Sequence, residues 1–383
     1  MSPARYLILA LRVPLSRVWP STLLNRKALA HAPKVIYTVR GMGKNKRPSA
    51  PAEEYLHLPA HPSFAASPSP PPIIDTHTHL LSTYSHYRTK YLSARYETIH
   101  DFVRALYRSD VPPPGRAQPE QKHVVGSIVD VWCEAPTLSE WKELADSALT
   151  EAQRASDWGG MEYWFVKGLH PHEARLYTDE LEDQIIAAMA HPRCVGWGEI
   201  GLDYHYDNSP RDVQQAVLIR QLRHAVRLGK PLTIHTREAD EDIERILKAE
   251  VPKDHRIHVH CFTDTPALAI NLLDHFPNLF IGITGVITYS TNANTSAVIK
   301  HLAETGATSQ SLRIVLETDA PYMAPSTLTS QTLSLKSGQK LPFCHSGMIP
   351  WTAEFVAKVA GGDWDTEKVL KASNENAKFL YGI

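Results

Sequence analysis

The sequence predicts one α/β domain, a single (β/α)8 TIM barrel, over residues 73–383. Three observations carry this expectation. Eight short apolar runs alternate with helical stretches from Ile73 onward, and such alternation builds parallel βαβ units. The chain beyond Ile73 is long enough for eight units with insertions. Histidines and carboxylates recur at the C-terminal ends of the runs, the face on which barrels carry their sites.

The strands are expected at 73–79 (IIDTHTH), 123–130 (HVVGSIVD), 163–169 (YWFVKGL), 195–199 (VGWGE), 231–235 (PLTIH), 256–260 (RIHVH), 279–283 (LFIGI) and 313–318 (RIVLET). Between them lie helical stretches such as Asp212 to Leu228 and Asp240 to Ala249. Gly229-Lys-Pro after the first is a helix stop followed by a strand start. Two segments exceed what a plain barrel needs. One, near 84–122, is rich in Tyr, Arg and His; the other, near 325–345, is rich in Ser, Thr and Leu. Both follow a strand's C-terminal end and suit a lid or a specificity loop.

Upstream of the barrel the composition changes. Residues 1–52 hold ten Lys or Arg and no Asp or Glu, while the remainder carries 30 basic and 41 acidic residues. An Arg-rich, acid-free start is the pattern of a mitochondrial transit peptide. The alternative is a basic tail, or a true start at Met42, with a cytoplasmic or nuclear protein. The leader is placed at 1–50 and a Pro-rich linker at 51–72, ending Pro68-Ser-Pro-Pro-Pro72.

Composition removes several function classes. Hydrophobic residues at 43% and charged residues at 21% exclude a wholly disordered chain. The longest apolar run near the start, Tyr6 to Leu11, is far short of the roughly 20 residues a membrane span needs. Cys133, Cys194, Cys261 and Cys344 are scattered without a Cys-x-x-Cys pair, which argues against a disulfide scaffold or a zinc knuckle. An acidic barrel lacks the broad basic footprint of nucleic-acid capture. Phosphate binding would then need local positive charge from bound metal.

The chemistry sits at the strand ends. His77 and His79 are two apart on the first strand and share a face, so both can grip one metal. Glu199, His235, His260 and Asp319 fall at the ends of strands four, five, six and eight. On a barrel these ends meet at one mouth. Scattered through a core, each would need a separate partner. Together they suit two divalent ions with Glu199 as the bridge. Two such ions can clamp both oxygens of an in-line phosphoryl displacement and generate a nucleophilic hydroxide.

The motifs resemble the TatD family of metal-dependent deoxyribonucleases, in the amidohydrolase-like barrel superfamily. They are Asp75-Thr-His77-Thr-His79, Gly168-Leu-His-Pro-His172, Gly198-Glu-Ile-Gly-Leu-Asp203, Lys230-Pro-Leu-Thr-Ile-His-Thr-Arg237, His260-Cys-Phe-Thr263, Glu317-Thr-Asp-Ala-Pro321 and Asn374-Glu-Asn-Ala377. The resemblance spans 73–383 in family order. It implies a first metal on His77, His79, Glu199 and Asp319, and a second on Glu199, His235 and His260. It implies that Asp319 orients or deprotonates the attacking water and that His170 faces the scissile phosphate. The implied activity is two-metal hydrolysis of phosphodiester bonds in DNA, and a tight barrel mouth would favour single strands or ends over intact duplex. Mg, Mn and Zn all remain open as the ion.

Weaker substrate contacts are Arg237, His205 and His172. Asp203 reads as an orienter of a ligand and Lys167 as structural. Cys261 follows a ligand on its strand and is expected to point the other way. Asp264 stands where the family usually has glycine, and a side chain there could narrow the mouth. The extended loops resemble a fungal subgroup named for binding a subunit of the anaphase-promoting complex. That leaves two other readings: the same site acting on a carboxylic ester, lactone or amide, and a barrel used as a protein-interaction scaffold through its inserts.

Overall fold

The computed structural model describes residues 50–64, 67, 69–108, 124–305 and 312–383. The basic leader and the 109–122 part of the first insert lie outside the described residues. Eight strands form one parallel sheet: β1 (Ile73–Thr78), β2 (Val125–Trp132), β3 (Glu162–Lys167), β4 (Cys194–Asp203), β5 (Leu232–Arg237), β6 (Ile257–Val259), β7 (Leu279–Ile283) and β8 (Ile314–Leu316). Each strand pairs with the next in chain order. The helices are α1 (Leu80–Lys90), α2 (Ile99–Val103), α3 (Glu140–Asp146), α4 (Glu151–Asp157), α5 (Asp179–Ala188), α6 (Arg211–Leu228), α7 (Asp240–Glu250), α8 (Pro266–His275), α9 (Asn294–Thr305), α10 (Ile349–Ala360) and α11 (Thr366–Tyr381).

The seam between β1 and β8 nearly closes the barrel. Thr78 and Ala320 form a parallel bridge. Thr76 Oγ1 donates to the Leu316 carbonyl at 3.1 Å, and His79 N–H donates to the Ala320 carbonyl at 2.9 Å. Asp319 N–H donates to the His77 carbonyl at 2.9 Å. The two chain segments expected to share a metal are therefore tied backbone to backbone.

Alternation of strand side chains makes two apolar layers. Val129, Val131, Cys133, Val166, Val195, Phe280 and Val315 pack inside the barrel, against Leu380 and Tyr381 at the end of α11. Ile128, Phe165, Trp197, Ile234, Val259 and Ile281 belong to the larger layer between strands and helices. Local signals set the helix ends. Thr178, Thr265 and Asp365 cap α5, α8 and α11 by accepting N–H bonds in the first turn. Gly229 ends α6 in the left-handed region at φ 63°, as the Gly-Lys-Pro signal predicts.

Buried glutamines of α6 fasten the site-bearing loops. Gln221 accepts from Leu169 N–H at 2.9 Å, donates to the Leu169 carbonyl at 3.1 Å and accepts from the Trp197 indole at 3.2 Å. Gln214 accepts from Asp203 N–H at 2.8 Å and donates to the Asp203 carbonyl at 3.0 Å. Gln221→Leu should lower stability by about 3 kcal/mol, because it leaves several buried partners unpaired at roughly 1–3 kcal/mol each. A thermal melt of the variant beside the parent checks this.

Two boundaries differ from the sequence expectation. The folded unit reaches back before Ile73. Leu56 and Phe64 join the helix–strand core, and Tyr87 Oη donates to Glu53 Oε1. Apolar residues spaced among the prolines give this stretch surface to bury. Strand β4 also runs on to Asp203, so Glu199 sits mid-strand rather than at its end. Its register against β5 shifts between Gly198 and Ile200, the kind of irregularity that re-aims a side chain. Both inserts contribute apolar contacts. Tyr84, Tyr87, Tyr96, Phe102 and Tyr107 share ring contacts after β1. Leu333 and Cys344 pack with Leu58, Met348 and Trp351.

Candidate metal centre

The strand ends bring the expected ligands together around Glu199, which is only 3% exposed. Its two oxygens face different groups. Oε2 lies 3.4 Å from His77 Nε2 and 3.8 Å from His79 Nε2. Oε1 lies 2.8 Å from His260 Nε2, 2.9 Å from His235 Nδ1 and 3.3 Å from His170 Nε2. Asp319 Oδ1 completes the first group at 3.4 Å from His79 Nε2 and 3.8 Å from His77 Nε2. Three sets drawn from these residues place all their donor atoms within 4.8 Å of one another, His77–His79–Glu199, His77–His260–Asp319 and His170–Glu199–His235, and a fourth joins His79 to Cys133 and Glu134.

This donor set fits divalent cations. Among the described residues, Nδ1 of buried His77 and Nδ1 of His260 find no hydrogen-bond partner, and His77 Nε2 meets only the Glu199 and Asp319 carboxylates at 3.4 and 3.8 Å. Buried polar atoms of this kind call for an explanation, and a cation is the simplest one. Mixed imidazole and carboxylate donors suit zinc or manganese, and magnesium less well.

The electrostatics agree. Burial acts to raise the Glu199 carboxyl, but His260 and His170, with hydrogen bonds from His170 and His235, hold it well below the usual carboxylate range. Burial, reinforced by the charge of His260, lowers His77 to about 3, so its ring is neutral. Burial also pulls on His79 and His235, but Asp319 raises the first to about 10, and Asp203 with Glu199 raises the second to about 9. The carboxylates thus favour protonated imidazoles at His79 and His235. A cation binding there would displace those protons.

Around the centre sit the orienting groups. Asp203 Oδ2 lies 2.8 Å from His172 Nε2 and 3.3 Å from His235 Nε2. It fixes His235 so that Nδ1 faces Glu199, the orienter role expected of it. His170 is closer to the centre than the sequence implies. It caps the turn after β3 and reaches Glu199 directly. Sequence spacing alone could not show this, because His170 lies on a loop rather than on a strand face.

Below the mouth, His258 Nε2 is 2.9 Å from Glu317 Oε2, with both side chains fully buried. Glycine at 282 is required here, since a Cβ would come within 2.5 Å of Glu317 Oε1 and His258 Nε2. Two further side chains join the site without having been site candidates in the sequence. Cys133 and Glu134 approach His79 from the end of β2. The signal was present, since Val129, Val131 and Cys133 repeat at the strand period of two.

The weaker candidates lie on the rim. Arg237 stacks 4.9 Å over the ring of Tyr206, which is 47% exposed. His205 Nδ1 pairs with Glu238 Oε1 at 2.6 Å. His172 is turned to Asp203. Lys167 lies 5.6 Å from the Trp141 ring centre and belongs to none of the ligand groups among the described residues. Cys261 Sγ sits 3.4 Å from Thr284 Oγ1. Asp264 is 8% exposed and held by two bonds. It turns inward, where its carboxylate accepts from Thr236 Oγ1 at 2.9 Å and from Glu238 N–H at 3.0 Å.

A sequence profile described as TatD related DNase matches residues 74–382. The chain belongs to the TatD family. It is 34% identical over 313 residues to the human 3'-5' RNA nuclease TATDN2, covering 81% of this chain and 35% of that protein. The chain therefore spans about a third of that relative's length. It is 29% identical over 221 residues to the 3'-5' ssDNA/RNA exonuclease TatD of Escherichia coli K12, covering 57% of this chain and 78% of the relative. A Bacillus subtilis protein named as an uncharacterized metal-dependent hydrolase, YabD, is 28% identical over 262 residues, with 68% and 88% covered. Among solved structures, a TatD family hydrolase from Entamoeba histolytica superposes with a TM-score of 0.60 at 18% identity, over 82% of this chain and 99% of that one. That likeness establishes the shared barrel fold. No helix among the described residues is long and apolar enough to cross a membrane.

Proposed function

We propose that this TatD protein is a metal-dependent nuclease that hydrolyses phosphodiester bonds of single-stranded DNA or RNA from the 3' end. The observation that carries the reading is Glu199. One carboxylate turns one oxygen to His77 and His79, which also face Asp319, and the other to His170, His235 and His260. That division supports two divalent ions, which His77, His79, Glu199 and Asp319 on one side and Glu199, His235 and His260 on the other would hold. When bound, such ions neutralise phosphate charge and lower the pKa of water.

The remaining work falls to the chain's own groups. Asp319, beside His77 and His79, is placed to accept a proton from the attacking water. His170, 16% exposed, stands where it can reach a phosphate oxygen or protonate the leaving oxygen. Asp203 holds His235 in its working orientation. Arg237 and exposed Tyr206 offer a cation and an aromatic face on the rim. Stacking on such a face binds single-stranded bases without sequence preference. The 3'-to-5' direction and the inclusion of RNA rest on what the human and E. coli relatives are named for.

The test is metal stripping and re-addition on the full chain. Magnesium, manganese or zinc is added back singly, and 3'- or 5'-labelled single strands of DNA and RNA are followed on a gel. Cleavage should need added metal, and the 3' label should be released first. No cleavage of either strand, with metal bound to the protein, would contradict the nuclease reading.

A further inference from the structure

We propose that His79, Cys133 and Glu134 form an outer cation position for a thiophilic divalent ion of the zinc or cadmium class. This rests on the reading of the inner centre, with which it shares His79. The three donor atoms lie within 4.8 Å of one another. Cys133 ends the inward-facing series Val129, Val131, Cys133, is 4% exposed, and puts Sγ 3.8 Å from Glu199 Oε2. Its thiol is thus aimed at the mouth of the barrel, not at solvent. Glu134 closes the group from the solvent side, where an ion can enter.

The donor mixture decides the ligand class. Sulfur, imidazole nitrogen and carboxylate oxygen together are a zinc-type set, while magnesium takes oxygen. Zinc holds its donors at about 2.0–2.3 Å, so the group must contract by roughly 1 Å, which the carboxylate of Glu134 can supply by rotation. Binding breaks the S–H bond, forms the metal–sulfur bond and releases the proton to solvent. Because His79 also faces Asp319 and Glu199, the outer position and the first inner set draw on one imidazole. A soft ion would therefore compete with the inner set in a way that magnesium would not.

Cadmium titration of the metal-stripped full chain tests this, read by the ultraviolet sulfur-to-cadmium charge-transfer band and by bound cadmium per chain. The parent should give the band. Cys133→Ser should lose the band, while Cys261→Ser should keep it. Glu134→Gln, which alters a solvent-side group and keeps the fold, should need about tenfold more cadmium for the same band, the scale of loss on removing a supporting group. A band unchanged in Cys133→Ser, or a Glu134→Gln titration matching the parent, would overturn the outer position. A chain that binds manganese but gives no Cys133-dependent band would overturn this proposal alone. Binding of neither metal would overturn the inner centre as well.

Discussion

Asp319→Asn should reduce metal-supported cleavage by about 10²–10⁴-fold, the range expected when a positioned proton acceptor is removed. The change is conservative in shape. Asp319 has φ 50°, and asparagine tolerates that left-handed backbone. Its N–H bond to the His77 carbonyl is a backbone contact and survives. Fold and most of the ligand set should therefore remain. The loss should appear at saturating metal in kcat, with melting temperature near the parent's. A variant with parent kcat at saturating metal would remove Asp319 from the chemistry.

Gly201→Ala should have the largest effect on the fold. A Cβ at this position would stand 1.8 Å from the His235 carbonyl oxygen and 2.7 Å from its carbonyl carbon. Both atoms are backbone, so no side-chain rotation relieves the contact. Gly201 and His235 are direct register partners in β4 and β5. Separating these strands would also pull His235 from Glu199. The cost should be about 4 kcal/mol or more, the scale reserved for strain and overpacking at special positions. Soluble yield and chemical denaturation measure it, and the variant should bind less manganese than the parent. A stable variant with parent metal content would show that β4 and β5 need not approach so closely.

Much of this arrangement was legible in the sequence because strand geometry is periodic. His77 and His79 share a face by spacing alone, and His235, His260 and Asp319 lie at or just past strands that apolar runs mark out. All eight strands appear where the runs place them, with ends shifted by a few residues. Other features depend on three-dimensional detail. Glu199 sits mid-strand at a register shift between β4 and β5, which no residue pattern announces. His170 reaches the centre from a loop whose path is set by Gln221 of α6. Leu56 and Phe64 were hidden by neighbouring prolines, because composition over a window outweighed single apolar residues. The bonds that Thr236 and Glu238 give Asp264 are likewise set by the fold.

The central claim is that one carboxylate, Glu199, serves two ions. Electron paramagnetic resonance of the manganese-loaded chain tests it most directly, because two Mn²⁺ ions joined by a carboxylate couple their spins. The parent should bind two ions per chain and give the signal of a coupled pair, and Glu199→Gln should lose that signal. A single uncoupled ion per parent chain at saturation would contradict the account.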